Sequence, residues 1–283
     1  MHTPPSFPAP ADMHPWIAEY LAGRLQPVSA RLAATVVLLR DTAEGPEVYL
    51  VKRATSMAFA GGRYAFPGGR VDPQDAEHTA AGWAGPEPEQ WAARFGCPTD
   101  DARALVAAAV RETFEETGVL LAGPSADTVT GETVSADWEA DRLAVEAHQL
   151  PLGDLLDRRG LLLRTDLLAA WSRWVTPVFE PRRYDTAFFI AALPAGQSAR
   201  EVSGETEGTV WARPSKALAD FAAGRVAMLP PTVTTLREIA ACDSVAAVLA
   251  AATTRSLAPI MAEVRAEPDG TYSLVWPLTD EDA

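Results

Sequence analysis

The stretch RETFEETGV, residues 111–119, decides how this chain is read. It continues DARALVAAAV (101–110), and the two together predict a helix over about residues 101–117. With 3.6 residues per turn, Ala102, Val106, Ala109, Val110, Thr113, Phe114 and Thr117 fall on one broad stripe, the face for a core. Glu112, Glu115 and Glu116 fall beside it in a narrow arc, related as i, i+3 and i+4. Like charges at that spacing cost a helix ~0.2–0.5 kcal/mol per pair. The C-terminal end of a helix dipole also disfavours anions. Two local rules are broken at one place. A bound divalent cation would relieve both, because a hard cation takes several carboxylate oxygens, and Arg111 could orient one glutamate. The helix alone is equally compatible with a solvated charged face on which Arg111 pairs with Glu115. Thr99 or Asp100 is expected to cap its start and Gly118 to end it.

Upstream, β-branched runs predict strands at 34–40 (ATVVLLR) and 47–53 (EVYLVKR), with a hairpin turn at Gly45 between them. A short strand at 63–66 runs into Pro67-Gly68-Gly69. Two adjacent glycines let the backbone approach another group closely, so this turn can offer a carbonyl to a metal or amides to a phosphate. Residues 76–100 hold Gly82, Gly85, Pro86, Pro88, Gly96 and Pro98 around Trp83 and Trp91, and read as an inserted excursion with a short helix near 87–95. Downstream, helices are expected at 136–147 and 152–171. Strands follow at 174–179, 186–193 and 209–212, then a helix at 214–224. After Pro230-Pro231, helices at 232–242 and 244–253 and a last strand at 271–276 make a mostly helical extension. Residues 1–30 read as a Pro-rich arm with a short helix near 16–21.

The pairing of the Gly-Gly turn with the acidic helix resembles the Nudix hydrolase box, G-x5-E-x7-R-E-U-x-E-E-x-G-U. Arg111, Glu112, Glu115, Glu116, Gly118 and Val119 match its second half with the spacing intact, and Gly69 matches the first glycine. Asp75 stands where the family has its first glutamate, and Thr113 where it has a bulky aliphatic residue. The seven-residue spacer is replaced by 35 residues, 76–110, which loop-closure entropy tolerates because its cost grows slowly with length. Just before the box, YLVKRATSMAFAGGRYAFPGG (49–69) is similar to the motif of the coenzyme A and acyl-coenzyme A diphosphatases. Arg53, Ala54, Gly62 and Phe66 to Gly69 are in register, and Ala58 stands at that motif's second arginine.

The resemblance implies an α/β class fold, an α/β/α sandwich with a mixed sheet. It implies a metal-dependent hydrolase that cleaves the pyrophosphate bond of a nucleoside diphosphate linked to X. In this chain Glu112, Glu115 and Glu116, with the Gly69 carbonyl, would hold Mg2+ or Mn2+. Arg111 and Glu112 would serve catalysis, and Glu205 or Glu207 in the loop SGETEG would supply a general base. Arg53, Arg63 and Gly68 would meet substrate phosphates, Arg182 and Arg183 could face the same cleft, and Trp174, Phe179 and Tyr184 could stack on a base. The role of Asp75 is open. X is coenzyme A or acyl-coenzyme A in the favoured reading. The alternatives are an ADP-ribose or NADH pyrophosphatase and a non-catalytic Nudix-fold ligand-binding module. The expected organisation is an arm over 1–30, a Nudix domain over 31–229 with insertions at 76–100 and about 136–171, and an extension over 230–283.

Composition limits the partners. The net charge of −14 repels phosphate backbones, so nucleic acid is not expected as a partner. A small anionic nucleotide remains possible where a metal or local arginines draw it in. No run reaches the ~18–20 apolar residues of a membrane span. Two cysteines, Cys97 and Cys242, make no disulfide framework, and the N-terminus lacks a basic-then-apolar leader, so a cytoplasmic location is expected. His2, His14, His78 and His148 have no zinc-ligand spacing. The sequence leaves a homodimer open.

Overall fold

The computed structural model describes residues 6–57, 60–76, 82–202, 204 and 206–276. The chain begins with β1 (Ser6–Pro8) and α1 (His14–Leu21), then forms β2 (Arg31–Thr42) and β3 (Gly45–Arg53). These two strands are a hairpin closed by the Thr42–Gly45 pair. Next come β4 (Tyr64–Ala65), β5 (Gly68–Arg70), β6 (Trp83–Ala84), α2 (Pro88–Phe95) and α3 (Thr99–Thr117). They are followed by β7 (Ala122–Gly123), α4 (Ala136–Glu146), α5 (Leu152–Arg159), β8 (Leu162–Arg164), β9 (Ala169–Val175) and β10 (Tyr184–Ala192). The chain finishes with β11 (Thr206–Ala212), α6 (Pro214–Ala222), α7 (Pro230–Ala240), α8 (Val245–Ala252), β12 (Ile260–Met261), β13 (Glu263–Ala266) and β14 (Tyr272–Val275).

The main sheet is mixed, in the order β11-β3-β2-β10-β9-β12. Strand β2 runs parallel to β10 and antiparallel to β3. Its side chains alternate between two cores, as the twofold period of a strand requires. Ala34, Val36 and Leu38 pack with α2, α3 and α5 on one face, and Val37 and Leu39 pack with α7 and α8 on the other. This is the expected α/β/α sandwich. Along its N-terminal half, β2 exchanges β3 for β5, pairing Ala33, Ala34 and Thr35 with Arg70, Gly69 and Gly68. The Gly-Gly segment is therefore a strand at a split in the sheet rather than a turn.

Several sequence expectations need correction. The helix expected over 152–171 stops at Arg159, because Gly160 takes a left-handed conformation with φ 64°. The following apolar residues form β8 and β9, since a short buried run suits either a strand or a helix. The strand expected at 174–179 ends at Val175, ahead of Pro177 and Pro181 in the loop. Neither Thr99 nor Asp100 caps α3, whose N-cap is Pro98 without a side-chain bond. Residues 230–283 are expected to be mostly helical, and the described part, 230–276, carries α7, α8 and three short strands. Of these, β14 pairs with β1 from the other end of the chain. The N-terminal stretch is thereby packed, with Phe7 and Ile17 in the second core.

The inserted segment is part of the core. Trp91 and Phe95 of α2 meet Phe189 of β10 edge-on, with ring centroids 5.6 and 5.4 Å apart. Phe189→Ala should lower the unfolding free energy by about 3–5 kcal/mol, read from urea denaturation. A loss under 1 kcal/mol would show that α2 contributes little to the fold.

Candidate active site

Helix α3 delivers its last turns to the split beside β5. Gly118, at φ 72°, ends the helix, and its N–H donates to the Phe114 carbonyl at 2.9 Å. The solvated-face alternative does not hold. Arg111, Glu112, Glu115 and Glu116 are all buried, each at most 9% exposed. The guanidinium of Arg111 sits at the centre. Its Nε and Nη2 donate to the two oxygens of Asp75, each at 2.9 Å, and Nη2 also donates to the Arg70 carbonyl at 2.9 Å. Its Nη1 donates to Glu112 at 2.9 Å and to Glu115 at 3.1 Å. Burial works against the charge of Arg111, but the Asp75 bonds and the neighbouring carboxylates hold its pKa above the ordinary arginine value. Asp75 also accepts from the Asp72 amide at 2.8 Å. The open question about Asp75 thus has a geometric answer: it fixes the arginine that arranges the glutamates.

The glycines are required by close approach. A Cβ on Gly69 would lie 2.4 Å from a Glu112 oxygen, and one on Gly68 would lie 2.4 Å from the Ala34 carbonyl oxygen. The Gly68 amide donates to Glu116 at 3.2 Å. Protein donors meet the free carbonyls at the helix end. Buried Arg142 of α4 donates to the Glu115 carbonyl at 2.8 Å, and the Arg200 amide donates to the Thr117 carbonyl at 3.0 Å.

These side chains form one end of a cavity of about 500 Å³. The structure brings Gly68, Gly69, Arg53, Arg111, Glu112, Glu115 and Glu116 to its walls. Trp174 and Tyr184 also line it. Arg63 is absent from the walls, and its guanidinium is held by both oxygens of Asp12 at 2.9 Å. Glu207 is absent too, and one of its oxygens accepts the amide and hydroxyl of Thr55, each at 2.8 Å. These bonds, with Lys52, hold its carboxyl at about 2. Glu205 lies outside the described residues, as do Ala58 and His78. Phe179 is core, and Arg183 is spent on the carbonyls of Thr176 and Val28.

The sequence reading missed Asp72, Glu146, His148 and Glu180, which also line the cavity. His148 stands 2.8 Å from Asp72. The first three converge only through the docking of α4, and no spacing rule links them. Among the described residues, no three acidic or imidazole groups converge on one point at ligating distance. Arg111 occupies the middle and draws Glu112 and Glu115 to itself. The donor set nevertheless fits a hard cation. It consists of buried carboxylate oxygens beside a backbone brought close by glycine, and burial pushes the Glu112 and Glu115 carboxyls up, a cost that a cation would remove.

An α/β/α sandwich with a split mixed sheet and a Gly-Gly strand against the end of its acidic helix is a Nudix fold. A model described as the NUDT19 Nudix domain matches residues 30–239. The chain is 30% identical over 239 residues to the acyl-coenzyme A diphosphatase NUDT19 of Homo sapiens, covering 70% of this chain and 61% of that protein. It is 28% identical over 205 residues to the putative nudix hydrolase 7 of Caenorhabditis elegans, covering 72% and 59%. It therefore spans only about three fifths of the length of these relatives. The crystal structure of a Nudix hydrolase from Alicyclobacillus acidocaldarius is similar at a TM-score of 0.66 and 29% identity, covering 82% of this chain and 99% of that one. The chain belongs to the Nudix family, in its NUDT19 branch.

Raised carboxyl pKa values have a signed consequence. A carboxyl whose folded pKa exceeds its unfolded value favours the folded state at low pH. That contribution is lost as pH rises from the unfolded value through the folded one. In chelator, the Tm of the wild type should fall from pH 5 toward pH 9, and Glu112→Gln should flatten this fall. An equal slope in both proteins would show that Glu112 does not carry the effect.

Proposed function

We propose that this chain is a metal-dependent diphosphatase that cleaves the pyrophosphate bond of a nucleoside diphosphate linked to X, with coenzyme A or acyl-coenzyme A as the substrate class. The observation that carries the reading is the buried Arg111 cluster, in which one guanidinium holds Asp75, Glu112 and Glu115 against the Gly69 strand at one end of a cavity. The names of the NUDT19 relatives support the substrate class.

Glu112, Glu115, Glu116 and the Gly69 carbonyl would hold Mg2+ or Mn2+. When bound, such a cation neutralises pyrophosphate charge and lowers the pKa of a water. The protein's own part is positioning. Arg111 fixes the carboxylates, Gly68 offers its amide, and Arg53 stands on the cavity wall where a substrate phosphate would lie. Positioning and charge neutralisation carry most of phosphoryl transfer, so these groups need not form a covalent bond. Glu205 remains the loop candidate for a general base. Low cysteine content and net negative charge support a cytoplasmic enzyme of small nucleotides.

The test is hydrolysis of coenzyme A, acyl-coenzyme A, ADP-ribose, NADH and dinucleoside polyphosphates with Mg2+ or Mn2+. Excess chelator should abolish turnover, and added cation should restore it. Removing an outer-shell partner of a metal costs about 10–100-fold, so Asp75→Asn should lose that much activity. Glu115→Gln and Glu116→Gln should lose more, with the fold intact by circular dichroism. Full activity in both glutamine variants would overturn the metal assignment. Tight nucleotide binding without turnover across the panel would favour the binding module.

A further inference from the structure

The cavity continues well beyond the carboxylates, and its other end has a different chemistry. Residues Arg70, Ala33, Thr186 and Trp174 pair in one row across β5, β2, β10 and β9. Three strand spacings of ~4.8 Å put the ends of that row on the order of 14 Å apart. At the far end the walls are Trp174, Phe188, Leu229 and Leu274, with Met13 from the N-terminal segment. Met13 and Leu274 come from opposite ends of the chain, which the β1–β14 pairing joins. One acidic side chain interrupts this apolar lining. Glu180, in the loop between β9 and β10, is 8% exposed and lines the cavity. Among the described residues its carboxylate takes no hydrogen bond. The nearby Arg63 is already forked onto Asp12. Burial pushes the Glu180 carboxyl up.

We propose that this apolar end is a subsite for a neutral, amide-bearing aliphatic chain attached to the second phosphate, with Glu180 as the residue that selects it. The inference rests on the diphosphatase reading for its orientation, since the pyrophosphate must lie at the Glu112 end. Among the described residues no protein donor meets this carboxylate where it lines the cavity, and an amide N–H entering the cavity supplies one. The apolar walls take the methylene carbons between amides. An X that carries further phosphates would bring anions against Glu180 in a poorly solvated space, where like charges repel strongly. Selection therefore has an attractive and a repulsive part, as specific sites require. A pantetheine-like chain meets both conditions, and a second nucleotide meets neither.

The experiment compares KM and kcat for coenzyme A and diadenosine tetraphosphate in the wild type, Glu180→Gln and Leu229→Trp. The first variant removes the charge and the second narrows the apolar end. Each should raise KM for coenzyme A about tenfold, the size of one charge-assisted hydrogen bond, with kcat within threefold. KM for the dinucleotide should fall or change less than twofold in Glu180→Gln. Equal shifts for both substrates, or no shift for coenzyme A, would overturn the inference. If the wild type cleaves neither substrate nor any other nucleoside diphosphate, the diphosphatase reading fails, and the subsite is read separately with pantetheine as the probe. Thermal stabilisation by pantetheine that Glu180→Gln loses would support the subsite. No stabilisation of the wild type would overturn it.

Discussion

The fork between Arg111 and Asp75 is the interaction on which the rest of this site depends. A guanidinium buried this deeply must be paired, because removing one partner of a buried ion pair leaves an uncompensated charge costing about 3–5 kcal/mol. Asp75 takes two of its donors and the Arg70 carbonyl shares one of them. With those fixed, Nη1 has one direction left, and it points to Glu112 and Glu115. The acidic side chains are thus arranged by a single cation whose own position is set from residues 70–75. The 35-residue spacer between Asp75 and Arg111 does not disturb this, because both of its flanking residues take part in the same bonds.

A second constraint is backbone approach. Strand β2 cannot keep β3 along its whole length and also admit β5, so the sheet splits, and the split is where the helix end can reach the backbone. Gly69 is needed because a side chain there would overlap the Glu112 carboxylate, and Gly68 because one would strike the Ala34 carbonyl. The crowded carboxylates then carry positive charge on two sides, Arg111 within the cluster and Arg142 behind the helix. Arg142 comes from α4, so the segment between the acidic helix and β8 supports the site from outside the motif.

The Nudix box was legible because its residues are local. Six positions between 111 and 119 and the two glycines carry chemistry that spacing alone exposes. Arg63 and Glu207 show the limit of such reading. Both are charged residues at strand ends near the motif, and both are committed elsewhere, one to Asp12 and one to Thr55. A strand-end charge gives no signal of which way it will turn until its neighbour from another part of the chain is in place. The helix expected over 152–171 failed for a related reason. Apolar runs of that length suit a buried strand as well as a helix, and pairing with β6, β7 and β10 decided it.

The sequence by itself determined the acidic helix end, the Gly-Gly approach, the two central strands and the family to which they belong, because each is written in residues close together along the chain. The tertiary structure alone decided what Asp75 does and that the glutamates are buried. It also brought Asp72, Glu146, His148 and Glu180 to the same cavity, and it joined the chain's two ends through β1 and β14 to wall the cavity's apolar end. Those outcomes depend on contacts between segments tens to hundreds of residues apart. Their energies come from burial and pairing across the fold, which no local spacing records.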